Sequence, residues 1–399
     1  MPLSTSPDDI LAFHTHPAAR VAVVSLRGTQ REVWRALPFE FEDLITQMDA
    51  ADIVGPAAVV RRSPFQKRVQ RALQRFVKPR PYAPAVRPLP TTDRLYDMLF
   101  VPIGDFGELG LFKQLRPWME SSRVRVAWIV ELWSQSIPLN AGAIRQLQHF
   151  DIIAVGCENS VEPLQKALGK PCFYLPAGVD AMRMMPGDPP APRHIDVYQM
   201  GRRSNATHQA LLTMSNQRGW YYLYDTSWGL ETNDPVQHRA LLANTIKRSR
   251  FFIANRAKVD APQQTGGQQE VGFRFFEGAA AGTIMLGEIP DTPSFKQLFG
   301  WEDAVIALPF GSDNVEAVID ELLASPERMA AIQARNVRES LLRHDWAYRW
   351  QALLEQAGLP PMSALLARQK RLGELADAVA VPAAGRRADS GNVVRFQRG

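Results

Sequence analysis

Cysteine is nearly absent: two residues in 399 cannot form a disulfide framework. Cys157 and Cys172 both fall inside apolar runs and read as small buried hydrophobes, which points to a reducing compartment. Long hydrophobic runs are missing too. None approaches the roughly 20 residues that a membrane-spanning helix needs, and the opening MPLSTSPDDILAFHTH carries acids where a secretory leader has an apolar core. The expectation is a soluble, cytoplasmic protein. Histidine is scarce, and no cluster of His, Asp or Glu has the spacing of a metal site. His14-x-His16 reads as a surface accident, so neither metal nor cofactor is expected. Acid is absent between residues 61 and 87, where nine basic residues stand.

What is present is a globular composition. Hydrophobic residues make up 46% and charged residues 22%, which excludes a largely disordered or fibrous chain. The net charge of +5 is unevenly spread: residues 61–87 contribute +9 and residues 360–399 contribute +4, leaving a body of −8. Since no nucleic-acid motif accompanies the basic segments, the surplus does not argue for a nucleic-acid partner.

Short apolar runs alternate with amphipathic stretches as far as about residue 310. The runs are Val21–Leu26, Met98–Ile103, Val124–Val130, Ile152–Val155 and Cys172–Leu175, then Asp196–Met200, Trp220–Tyr224, Phe251–Ala254, Thr283–Leu286 and Ala304–Leu308. They are continuous rather than alternating, as in parallel strands covered on both faces. The proline-rich stretch 186–192 divides them into two series. The pattern predicts two Rossmann-like, doubly wound α/β domains facing a cleft, at 1–188 and 193–343, with a closing helix at 344–358. A basic tail at 360–399 is predicted to be partly disordered, with a short helix possible at 363–379.

Ligand in such a fold belongs at the carboxyl ends of the strands. One segment there is distinctive. A Gly-rich loop, Thr265-Gly266-Gly267, leads to Glu270-Val-Gly272-Phe-Arg274-Phe-Phe-Glu277-Gly-Ala-Ala-Ala-Gly282 and then a buried strand. Arg274 and Glu277 stand on one helix face, amides near Gly272 suit a diphosphate, and a carboxylate a turn along suits a ribose diol. On the residues alone, a structural surface pair between Arg274 and Glu277 serves as well.

The segment resembles the donor-site signature of GT-B glycosyltransferases, R-x-x-E-A-x-A-x-G before a strand, and is similar to the family 1/4 superfamily, with a CgeB-like branch as one candidate. Leu175-Pro-Ala-Gly178-Val-Asp180, the turn Gly201-Arg202-Arg203, Phe251-Phe-Ile-Ala-Asn255 and the helix Asp345-Trp-Ala-Tyr-Arg349-Trp350 match in order. The resemblance spans about 170–357; the first domain matches in architecture only.

The resemblance implies a metal-independent transfer from a nucleotide-sugar to a glycan or lipid-linked acceptor in surface polysaccharide or glycoconjugate assembly. Glu277 would bind the ribose, Arg202 or Arg203 would face the diphosphate, and Gly272 would lie at the phosphate-facing helix start. Retaining members carry two glutamates separated by seven residues. That register gives Gln269, with Glu270 one place along, so which of the two meets the donor sugar stays open. The expected lysine after the Gly-Arg turn is absent; Lys247, Arg256 or Lys258 could supply its charge. A base for an inverting reaction would come from the first domain, where Glu131 ends a strand and Glu158 follows another. Arg27-Gly28-Thr29 could bring amides near the phosphates, although a glycine there also serves as a plain turn.

Between Phe65 and Val77, Phe65, Val69, Leu73 and Phe76 recur at helical spacing among Lys67, Arg68, Arg71 and Arg75. A basic amphipathic helix of this kind suits an anionic membrane surface or a charged acceptor; a helix packed on the first sheet with a cationic outer face is the plainer reading. Two further functions compete: a catalytically inactive GT-B-fold scaffold, and another two-Rossmann-domain enzyme such as a sugar-nucleotide epimerase.

Overall fold

The computed structural model describes residues 10–56, 92–104, 108–109, 112–225 and 231–382. Arg68, Arg71 and Arg75 lie outside the described residues. Two sheets form. The first holds β1 (Ile10–His14), β2 (Val21–Val24), β3 (Ala51–Pro56), β4 (Tyr96–Ile103), β5 (Ser122–Ile129), β6 (Ile152–Val155) and β7 (Phe173–Tyr174). Their order is β1-β3-β2-β4-β5-β6-β7, with only β1 antiparallel. The second holds β8 (Ile195–Gln199), β9 (Tyr222–Tyr224), β10 (Ser249–Ile253), β11 (Ile284–Gly287) and β12 (Ile306–Ala307), ordered β12-β11-β10-β8-β9 and wholly parallel.

Both orders reverse direction once, between β2 and β4 in the first sheet and between β8 and β10 in the second. Such reversals open a crevice beyond the carboxyl ends of the two strands, because the connecting helices leave to opposite faces. The continuous apolar runs explain the strands: β2, β3 and β11 are buried along their whole length, as sheets covered on both faces require.

The helices join the two halves into one core. The helix Ala36–Met48, buried along most of its length, packs against Pro235–Lys247 of the second half. The closing helix Trp346–Ala357 returns to the first half, where Trp346 stacks on Phe41 at 4.5 Å and Trp350 meets Phe41 and Phe100 edge-on. Asp345 starts that helix by accepting from the Ala347 amide.

Within the basic tail, the short helix expected at 363–379 forms as Ser363–Ala378. Leu365, Leu372 and Ala376 are fully buried against Ala36–Met48 and Pro326–Arg343. Its apolar residues recur at helical spacing and meet an apolar groove, which compensates for the lost chain entropy. None of the helices searched, all within the described residues, is long and apolar enough to cross a membrane.

Candidate active site

The signature helix runs Phe273–Ala280, with Gly272 as its N-cap in extended conformation. A Cβ at Gly272 would collide with the Asn255 carbonyl at the end of β10, so only glycine lets the helix start so close to the strand. Gly282, at φ +61°, ends it. Arg193 donates to the carbonyls of Ala281 and Gly282 at 3.0 and 2.8 Å, satisfying acceptors beyond the helix end.

Glu277 faces inward, 1% exposed. Its two oxygens accept from Arg239 and Arg274, and Arg239 turns its other side to Glu40, with Nε at 2.9 Å. Glu40 also accepts from the Asp180 amide at 3.0 Å and the Trp346 indole at 3.1 Å. Burial would push the Glu277 pKa up; Arg274 and Arg239 outweigh it and hold the carboxylate below its ordinary value. The expected Arg274–Glu277 pair is therefore present, as one end of a buried chain that reaches the first half. Glu40 and Arg239 escape a reading of the sequence because both are charged residues on helices, and such residues are mostly exposed.

Arg202 and Arg203 stand just past β8. Arg202 meets Asp260 at 2.5 Å; Arg203 donates to the Asp225 carbonyl at 2.5 Å and lies 4.9 Å from the Tyr224 ring centroid. Gly201 takes a left-handed φ of +89° at this turn. Beside it, Gln199, Ser204, Thr207, Ile253, Asn255 and Phe310 line a small recess at the reversal between β8 and β10.

Several residues join the two halves here. Glu270, 1% exposed, accepts from the amides of Glu158 and Asn159 at 2.8 and 3.0 Å and from Gln268 at 2.7 Å. Burial raises its pKa, and these donors offset part of the rise. Gln269 accepts from the Asp291 amide at 2.9 Å. The Glu270 carboxylate is thus committed to the contact between the halves. Glu158 accepts from the Ser294 amide at 3.0 Å. Glu131, at the end of β5, pairs with Lys258 and accepts from the Trp133 indole at 2.8 Å.

Gly28 occupies the turn after β2. Its neighbour Arg27 is bound to Glu42 and Asp43 within the first half, at 2.8 and 2.7 Å. Among the described residues, no group of three or more His, Cys, Asp or Glu side chains could hold a metal ion. The structure thus gathers Gly272, Arg274 and Glu277 on one helix and Arg202 and Arg203 at the neighbouring strand end. Glu131 and Glu270 lie at contacts between the halves.

Residues 201–355 match the family model described as glycosyl transferase-like. The fold is similar to that of an alpha-glucosyltransferase in complex with UDP and a 13-mer DNA containing an HMU base: TM-score 0.52, 12% identity, 85% of this chain and 99% of that chain covered. HepE of Anabaena, in complex with UDP-glucose, gives a TM-score of 0.47 at 10% identity, with the same two coverages. No curated protein matches by sequence. The two doubly wound sheets are those of the GT-B fold, and the family match falls on the half that carries the signature helix.

Proposed function

We propose that this chain, with its glycosyl transferase-like domain on a GT-B fold, is a glycosyltransferase that takes its sugar from a nucleoside-diphosphate donor. The observation that carries this reading is the signature helix: Gly272 opens it against β10, and the buried Glu277, held by Arg239, fixes the partly exposed Arg274 beside the helix start. The division of labour follows the chain, with the acceptor on 1–188 and the donor nucleotide on 193–343. UDP is bound in the alpha-glucosyltransferase and UDP-glucose in HepE, so uridine nucleotides are the first donors to try.

In this reading the sugar's anomeric carbon gains a bond to an acceptor oxygen as its bond to the diphosphate breaks. The electron pair leaves with the diphosphate. Negative charge grows on that leaving group, so preorganised amides at Gly272 and the cations Arg202, Arg203 and Arg274 lower the barrier. In an inverting reaction Glu131 takes the acceptor's proton. No metal is assigned. The acceptor is a glycan or a lipid-linked saccharide, with the basic segment carrying Arg68, Arg71 and Arg75 as a docking surface at the cytoplasmic face of a membrane. The DNA bound to the alpha-glucosyltransferase places a DNA duplex in the acceptor panel as well.

The test is a thermal-shift panel of UDP-, GDP- and ADP-sugars, since a ligand of the native state raises Tm. At least one donor should raise Tm and be consumed in the presence of an acceptor. Glu277→Ala should weaken nucleotide binding about tenfold or more, about 1.4 kcal/mol. Nucleotide binding without turnover would favour an inactive scaffold, and unchanged affinity in Glu277→Ala would displace the donor site from this helix.

A further inference from the structure

Among the described cations at the carboxyl ends of the second sheet, most are matched from their own side of the cleft. Arg256 pairs with Glu288 at 2.6 Å, Arg202 with Asp260 at 2.5 Å, and Arg274 with Glu277. These partners travel with their arginines when the halves separate. Lys258 differs: its carboxylate is Glu131, on the facing sheet.

Four features set this contact apart. Lys258 holds a left-handed backbone, φ 45°, unusual for a residue with a side chain. It stands three positions beyond Asn255, close past the end of β10, where the sheet reverses. Its ammonium lies 5.3 Å from the Trp133 ring centroid, and the same indole donates to Glu131. The pair is also within reach of solvent, with side chains 23% and 32% exposed. Another ion pair between the halves, Arg239 with Glu40, is sealed at 3% and 1%.

We infer that Lys258 is a diphosphate-binding residue of the donor site, and that Glu131 masks it until the donor arrives. This rests on the glycosyltransferase reading above. A partly exposed ion pair contributes little net stability, so a single carboxylate holds the ammonium weakly. A diphosphate brings more than one negative charge to the same place, and the Coulomb gain scales with charge. Exchange moves Lys258 from Glu131 to the donor and leaves the Glu131 carboxylate uncovered beside it. Glu131 then becomes available to an acceptor hydroxyl only after a donor has bound, which gives an ordered sequence of donor first and acceptor second.

The experiment is calorimetric titration of the full chain with UDP, GDP, ADP and the matching nucleosides. Glu131→Gln should bind the preferred diphosphate about 3- to 10-fold tighter, with nucleoside affinity unchanged, because a neutral amide no longer competes. Lys258→Met should bind the diphosphate about tenfold weaker, and in the double variant Glu131→Gln should have no further effect. Retained nucleoside binding verifies folding; should Lys258→Met not fold, Glu131→Gln alone decides. If the wild type binds a diphosphate but Glu131→Gln leaves that affinity unchanged or lowers it, the masking role is overturned and the glycosyltransferase reading stands. If the wild type binds none of the three diphosphates, both fall together.

Discussion

His344 is fully buried among Phe276, Phe299 and Trp301, with ring centroids 5.0, 4.7 and 5.9 Å away. Neither ring nitrogen makes a well-formed hydrogen bond. Burial first, then the charges of Arg349 and Arg343, push its pKa well below the ordinary histidine value, with carbonyls of Leu298 and Arg343 pulling weakly the other way. The unfolded chain takes up this proton near pH 6.5 while the native state refuses it. Stability from this residue is therefore complete above about pH 6.5 and is lost as the pH falls below it. Melting at pH 7.5 and pH 5 should show a larger drop for the wild type than for His344→Leu, by about 1–2 kcal/mol, since each pH unit below the unfolded pKa is worth 1.36 kcal/mol. Equal drops in the two proteins would mean that His344 is protonated in the native state.

At the scale of elements, the terminal helix Ser363–Ala378 acts through one side chain. Arg368 meets Asp180 at 2.8 Å and Asp345 at 2.7 Å. Asp180 is the N-cap of the short helix Ala181–Met184, and Asp345 caps the closing helix while also accepting from the Ala181 amide at 3.0 Å. The guanidinium thus neutralises two buried acids at the junction of the halves. Burial already raises the Asp180 pKa, with Arg368 opposing it. Arg368→Met should cost about 3–5 kcal/mol, the price of leaving buried charge uncompensated, read as a lower denaturation midpoint. A loss under 1 kcal/mol would show that Asp180 and Asp345 find water instead. The helix was legible from its spacing at 363–379, but this task was not: Asp180, Asp345 and Arg368 are separated by 165 and 23 positions, and nothing in their local sequence marks them as partners.

Across the whole molecule, most strands could be read because each rests on a continuous apolar run; β1 and β3, at Ile10–His14 and Ala51–Pro56, were not among those runs. The signature helix was likewise legible from a local pattern. The contacts between the halves were not, since they pair loop ends far apart in sequence. Glu270 shows the difference: the seven-residue register left the choice between it and Gln269 open, and nothing in the local sequence marks its carboxylate as the cap of the turn at Glu158 and Asn159 on the other half. Two buried amide bonds to a charged acceptor make this a latch. Glu270→Ala should loosen the closed state: amides 158–160 should exchange hydrogen at least about tenfold faster, in line with about 1.4 kcal/mol, and the radius of gyration should rise. Unaltered exchange there would mean that closure depends on the Glu40–Arg239–Glu277 chain alone.

The chain crosses between its halves twice, outward after Val179 and back at Trp346, and the two crossings are hydrogen-bonded to each other: Val179 donates to the His344 carbonyl at 2.9 Å, and Trp346 to the Val179 carbonyl at 3.2 Å. A single tether would let one half swivel freely over the other. Two strands bound side by side leave one easy rotation, like a door on a pin, and resist twisting about the long axis. The same arrangement makes the first half discontinuous in sequence. Phe41 completes its stacking only with Trp346, so the first 188 residues supply the core on one face of the first sheet, among residues 19–168, but not the other face, which is finished by Trp346 and Trp350.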